Sequence, residues 1–255
     1  MKHPYLAALK RAFVSRWFLL AVLGTCAMSF FCAHDYMTGP KDENCSAGYI
    51  IDVMLGLGMF KKVLVFFAAV PFASVFCQDY NSGFLNSVLT RTGEKHYIFS
   101  GMISCVLSGF CAVFCGMMLF LVMILPAFPL KPMECNDIYR SLAANSPLMY
   151  AMMRISGYAL YSAMWTAGGL ALSSLLPDRY VALGAPLILG YVLEEITLKL
   201  PSFLNLYKLS HCYPVFSGTG LQNYLFTIAL FLLISALFGW MYAHFLKRRI
   251  RNEMV

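Results

Sequence analysis

The sequence predicts an all-α integral membrane protein with six transmembrane helices, and three observations carry that expectation. Of 255 residues, 60% are hydrophobic and only 12% charged, whereas a soluble domain is nearer a quarter charged. The apolar residues gather in six runs, at about 17–33, 61–77, 98–125, 150–175, 181–198 and 222–246. Most approach the roughly 20 residues that cross a bilayer core about 30 Å thick. Basic residues fall at alternate ends of those runs, the pattern that sets topology. The whole chain, 1–255, reads as one membrane domain.

Ahead of the first run, Leu6, Leu9, Phe13 and Trp17 recur at helical spacing beside Lys10, Arg11 and Arg16. This suits an N-terminal helix lying in the interface, or a plain extension of span one. Lys2 and these three cations precede span one, while the next segment sets Lys41 against Asp35, Asp42 and Glu43. Arg91 and Lys95 follow span two, Arg179 follows span four, and Lys247, Arg248, Arg249 and Arg251 follow span six. In a six-span chain these basic segments share one side, which is then cytoplasmic together with both termini. The net charge of +7 reflects this topology and not a nucleic-acid partner. The segment before span one and the span itself are longer than a cleaved signal peptide requires, so the first span is expected to be retained.

In the stretch 47–60, Ile50, Ile51, Met54 and Leu55 form an apolar face interrupted by Asp52. It is too short to be a span beside the next run, so an outer-surface helix is expected. Span two is short. Lys61 and Lys62 would lengthen it by snorkelling, and Pro71 would kink it.

A polar island, Cys77 to Ser100, separates spans two and three. Phe84, Leu85, Val88 and Leu89 fall at i, i+1, i+4 and i+5, one stripe of a 3.6-residue period. The pattern predicts a short amphipathic helix on the cytoplasmic surface. Asn81 or Ser82 is placed to cap its start, and Gly93 to end it. Thr92 is placed to cap the next helix, with Glu94 in its favourable first turn and Tyr97 at headgroup level.

Span three carries Gly101, Gly109 and Gly116, and span four Gly168 and Gly169, small residues that let helices approach closely in lipid. Pro126, Pro129 and Pro132 end span three, and 176–180 forms a tight link between spans four and five. Span five holds Glu194 and Glu195, about 22 Å from Arg179 at about 1.5 Å per residue. Glu195 and Lys199 stand at i, i+4, suited to an ion pair. Either glutamate is a candidate for the pathway or an outer gate, against the plainer reading that the pair marks the outer end of the helix. The segment 201–221 is too apolar for a free loop and reads as re-entrant, provided protein covers its backbone.

No catalytic signature is present: there is no HExxH, no Gly-x-Ser-x-Gly and no P-loop. The histidines read as surface or interface residues. Cysteines within spans behave as small hydrophobes, and one disulfide among Cys45, Cys135 and Cys212 fits an oxidising outer side.

The order of features at the island resembles the permease subunit of ABC-2-type ATP-binding-cassette transporters. The residues that carry the resemblance are Phe76, Asp79, Gly83, Leu89, Arg91 and Tyr97, and the six-span layout extends it. Relatives often carry a lysine four residues after the tyrosine, where this chain has Gly101. The resemblance implies a chain without its own ATPase or cofactor, ATP and magnesium being bound by a partner subunit. The island would be the coupling helix, docking through Asp79, Gly83, Phe84, Leu85, Val88, Leu89, Arg91, Glu94 and Lys95. A second permease copy, or a sister permease, would complete the pathway in a bacterial cell membrane. The cargo implied is an amphipathic compound such as an antibiotic, peptide or lipid.

Two other function classes compete. A secondary transporter or channel would need an ionisable site within the membrane, and an intramembrane enzyme would need a catalytic cluster. Co-purification with an ATPase separates the first class from both.

Overall fold

The computed structural model describes residues 4–38, 46–57, 62–131, 139–211, 215–216 and 218–253. Among these it contains helices and no strand. They are α1 (Pro4–Phe13), α2 (Arg16–Thr38), α3 (Ala47–Leu57), α4 (Lys62–Ala69), α5 (Val75–Asn81) and α6 (Phe84–Thr92), followed by α7 (Glu94–Ile124), α8 (Arg140–Asn145), α9 (Pro147–Leu175), α10 (Arg179–Thr197), α11 (Leu206–Ser210) and α12 (Gly220–Glu253).

Four of the described helices, α2, α7, α10 and α12, are long and apolar enough to cross a membrane. This makes the chain a membrane-embedded protein. A fifth helix, α9, has 29 residues, about 44 Å at 1.5 Å per residue. It is the central helix, buried almost all round among α3, α4, α7, α10 and α12. Its neighbours are protein, so it needs small residues for close packing rather than a lipid-facing surface. Accordingly Ser162, Ala163, Thr166, Ala167, Gly168 and Gly169 are all buried.

The expected second span is not one helix. The run 61–77 breaks into α4 and α5, joined by a turn over 70–74 around the buried Pro71. Proline lacks the N–H for the helical ladder and clashes with the preceding turn. The break is tolerated because Val70, Phe72 and Ala73 are themselves buried, and protein around an irregular backbone replaces the water it would otherwise need.

Helix α3 forms within the stretch expected to be helical. Ile50, Ile51, Met54 and Leu55 form one face as their spacing predicts, but at 0–1% exposure they are buried in the largest apolar cluster. This helix packs its apolar face on α2 and α9, while Tyr49 on the same helix stays exposed.

The small-residue positions decide how closely helices approach. A Cβ on Gly116 would lie 2.6 Å from Thr25 Cβ, so α7 and α2 nearly touch backbone to backbone. A Cβ on Gly169 would lie 2.9 Å from the Ala182 carbonyl of α10. Gly109 is comparably tight against Ala68 and Thr166, whereas Gly101 meets nothing nearer than Tyr242 Oη at 3.8 Å.

Helix α11 folds back onto the bundle, with Leu206 and Leu209 in the main apolar cluster. The remainder of the segment expected to be re-entrant is described only in part, and Cys45, Cys135 and Cys212 lie outside the described residues.

Candidate functional site

One end of the bundle gathers α1, α5 and α6, the end of α9, the start of α10 and the end of α12. Four long-range contacts tie α5, the α9–α10 link and α12 together there. Asn81 Nδ2 donates to the Pro177 carbonyl at 3.3 Å, and Cys77 Sγ to the Asp178 carbonyl at 3.4 Å. Arg249 Nη1 donates to the Ser174 carbonyl at 3.0 Å, and the same guanidinium lies 4.4 Å from the centre of the Tyr80 ring. A cation on the last carbonyls of a helix is favoured by their unpaired lone pairs and by the helix dipole.

The polar island forms α6 across this end. Leu85 and Leu89 anchor it, at 7% and 8% exposure. Two members of the expected stripe do not follow: Val88 is half-buried and Phe84 is 51% exposed. The helix is bracketed by glycines in conformations that side chains resist, Gly83 at φ 69° and Gly93 at φ 77°. Gly93 therefore ends α6 as its spacing implies. The start differs from expectation, because Gly83 occupies the N-cap with no side-chain cap. Ser82 Oγ donates instead to the Gln78 carbonyl, and Asn81 reaches Pro177. Thr92 does not cap α7 either; its hydroxyl donates back to the Val88 carbonyl at 2.8 Å.

Among the island's charges, Arg91 and Lys95 are exposed, and Glu94 is half-buried in the first turn of α7. Asp79 is different. At 3% exposure it lies inside, accepting from Arg11 Nη1 at 2.7 Å and from Tyr97 Oη at 3.1 Å. It ties α1 and α7 to α5 and is not displayed on the outer face of the island.

Among the described residues, the opposite end holds two ionic links between distant elements. Glu194 is buried at 2% exposure, with Lys62 Nζ 2.9 Å from Oε2. The same ammonium lies 4.2 Å from the centre of the Tyr191 ring, a favourable cation–π geometry. Lys62 therefore turns to α10 rather than snorkelling away to lengthen a span. Glu195 is exposed, and among the described residues no ion pair joins it to Lys199.

The second link is one that the sequence reading missed. Arg154 of α9, at 5% exposure, places Nη2 2.6 Å from Asp52 Oδ1. Tyr150 Oη donates to the same oxygen at 3.0 Å, and Arg154 Nη1 donates to the His211 carbonyl. The His211 ring is buried, with Nε2 2.8 Å from the Gly56 carbonyl and Nδ1 2.6 Å from the Tyr207 carbonyl. This histidine is a structural bridge between α3 and α11 and not a surface residue. A lone arginine inside an apolar run was the available signal, since such a charge demands a partner.

No family model matches the chain, and no curated protein or solved structure matches it.

Proposed function

We propose that this chain is the membrane-spanning permease subunit of an ABC exporter, driven by a separate ATPase subunit that docks on α6. The observation that carries the proposal is α6 itself. It is a short helix held to the bundle by Leu85 and Leu89, bracketed by Gly83 and Gly93, with Phe84 and Arg91 exposed. Such a helix between two membrane segments is a lever, because force applied to its outer face passes through two leucines into α5 and α7. The basic end of the bundle, with Arg11, Arg91 and Arg249, is then the cytoplasmic end.

ATP and magnesium belong to the partner, and α6 transmits the motion of its hydrolytic cycle. A second copy or a sister permease completes the pathway. The cargo is an amphipathic compound such as an antibiotic, a peptide or a lipid. Lys62–Glu194 joins α4 to α10 at the opposite end, where parting those elements would open an outer gate.

Two measurements test the reading. An ATPase should co-purify with the tagged chain, and vesicles holding both should show ATP-dependent, vanadate-sensitive transport. Transport by the chain alone, driven by an ion gradient and indifferent to vanadate, would sink it. That outcome would favour a secondary transporter, for which the buried pairs Lys62–Glu194 and Arg154–Asp52 supply ionisable groups.

A further inference from the structure

Helix α1 lies across a cavity of about 220 Å³ whose walls are almost wholly apolar. Phe72 and Val75, Phe84 and Val88 of α6, and Gly101 of α7 are among its lining residues. Ala7 and Arg11 of α1 line this cavity and also line a shallow depression on the surface, completed by Lys10, Val14 and Ser15. An apolar chamber thus runs into a basic rim.

The rim carries excess positive charge. Lys10 and Arg11 are both exposed. The one carboxylate in the cavity wall, Asp79, accepts from Arg11 Nη1 and Tyr97 Oη and is itself buried. Arg11 meets it through one nitrogen, and a guanidinium has five N–H donors in a fixed fork suited to a second oxyanion. Leu6, Val14 and Trp17 beside the rim are 63%, 73% and 58% exposed. Apolar side chains of this size next to cations place α1 at the boundary between headgroups and acyl chains.

We propose that this junction binds one anionic phospholipid from the leaflet at that end, with part of an acyl chain in the cavity and the phosphate on Lys10 and Arg11. A zwitterionic lipid could offer the same chain but lacks the net charge that the rim selects. The bound chain would lie against Phe84 and Val88, the two stripe residues that the protein does not fully bury, and so would support α6. The inference rests on the membrane placement of the chain and not on the transporter reading.

The full-length protein in neutral detergent, offered equal dioleoylphosphatidylglycerol and dioleoylphosphatidylcholine, provides the test, with retained lipid counted by native mass spectrometry. The anionic lipid should be retained at least about fivefold more, and Lys10→Gln should lower its retention by about fivefold, the effect of one cation at a membrane surface. Gly101→Leu, where a Cβ has room, should fill the cavity and abolish retention of both lipids with helical content unchanged. If that variant misfolds, Ala7→Leu fills the same space from α1 and decides the point. Equal retention of the two lipids overturns the proposal, as does wild-type retention by Lys10→Gln together with a folded cavity-filling variant. Full displacement by inorganic phosphate alone would show an anion site without a chain, and would overturn it too.

Discussion

Arg11 Nη1 lies 2.7 Å from Asp79 Oδ1, so a residue of the N-terminal helix neutralises a carboxylate buried at the root of α6. The two are 68 positions apart in sequence. Tyr97 supplies the second donor, and the three side chains join α1, α5 and α7 directly beside the helix that the island forms. The carboxylate is buried while the arginine side chain is 43% exposed, so the pair sits at the edge of the bundle.

Removing the arginine should leave the carboxylate short of a partner. Arg11→Met is expected to destabilise the protein by about 1–3 kcal/mol. Adding Asp79→Asn should restore most of that loss, because the uncompensated charge disappears. Thermal unfolding of the single and double variants, followed by helical signal, gives the coupling directly. A double variant no better than Arg11→Met would show that the pair is not coupled.

The docking face of α6 should be separable from its anchor. On the proposed function, Arg91→Glu, which reverses an exposed charge, should release a co-purifying ATPase in a pull-down while the membrane domain stays folded. Gly83→Leu forces a side chain into a left-handed conformation at a cost of about 1–2 kcal/mol. A Cβ there meets nothing within 4 Å, so the side chain should project from the bundle and obstruct docking without displacing a neighbour. Full co-purification of both variants would remove the docking assignment.

At the other end, Lys62 and Glu194 should be unequal to Glu195. Lys62→Met strands a carboxylate that is 2% exposed, which costs about 3–5 kcal/mol when a buried pair is broken from one side. Glu195→Gln, on an exposed residue, should stay within about 0.5 kcal/mol. If Glu194 serves the proposed outer gate, Glu194→Gln should keep its expression level and alter transport or substrate range. Unchanged transport in both glutamine variants would end the gating idea.

Glycine positions should divide by contact. Gly116→Leu and Gly169→Leu drive side chains into Thr25 and Pro186, at Cβ distances of 2.6 and 2.5 Å. Each should cost about 1–3 kcal/mol or more from overpacking. Gly184→Leu, with nothing within 4 Å, should be tolerated. Fluorescence-detected size-exclusion after graded heating ranks the three.

Much of the layout was legible because its causes are local. Transfer of apolar side chains into lipid depends on the run itself, and helical hydrogen bonds close within four residues. The runs that became α2, α7, α10 and α12 therefore needed no knowledge of their neighbours. The limits of α6 were half legible: Gly93 ends it, but its start was misread, since Asn81 and Ser82 found other partners. The stripe held at Leu85 and Leu89, which are buried, and only in part at Val88 and not at Phe84, both of which line a cavity together with α1.

Partner choice was not legible. Glu195 and Lys199 have the spacing of an ion pair, yet the buried link runs from Glu194 to Lys62, 132 positions away. Arg154 finds Asp52 and the His211 carbonyl through the packing of α9 between α3 and α11. The sequence alone determined that this chain is helical and membrane-embedded, because those free energies add residue by residue along a segment. Only the tertiary structure decided which buried charges meet, because a charge in a low-dielectric interior takes whichever partner the packing of distant helices brings within about 3 Å.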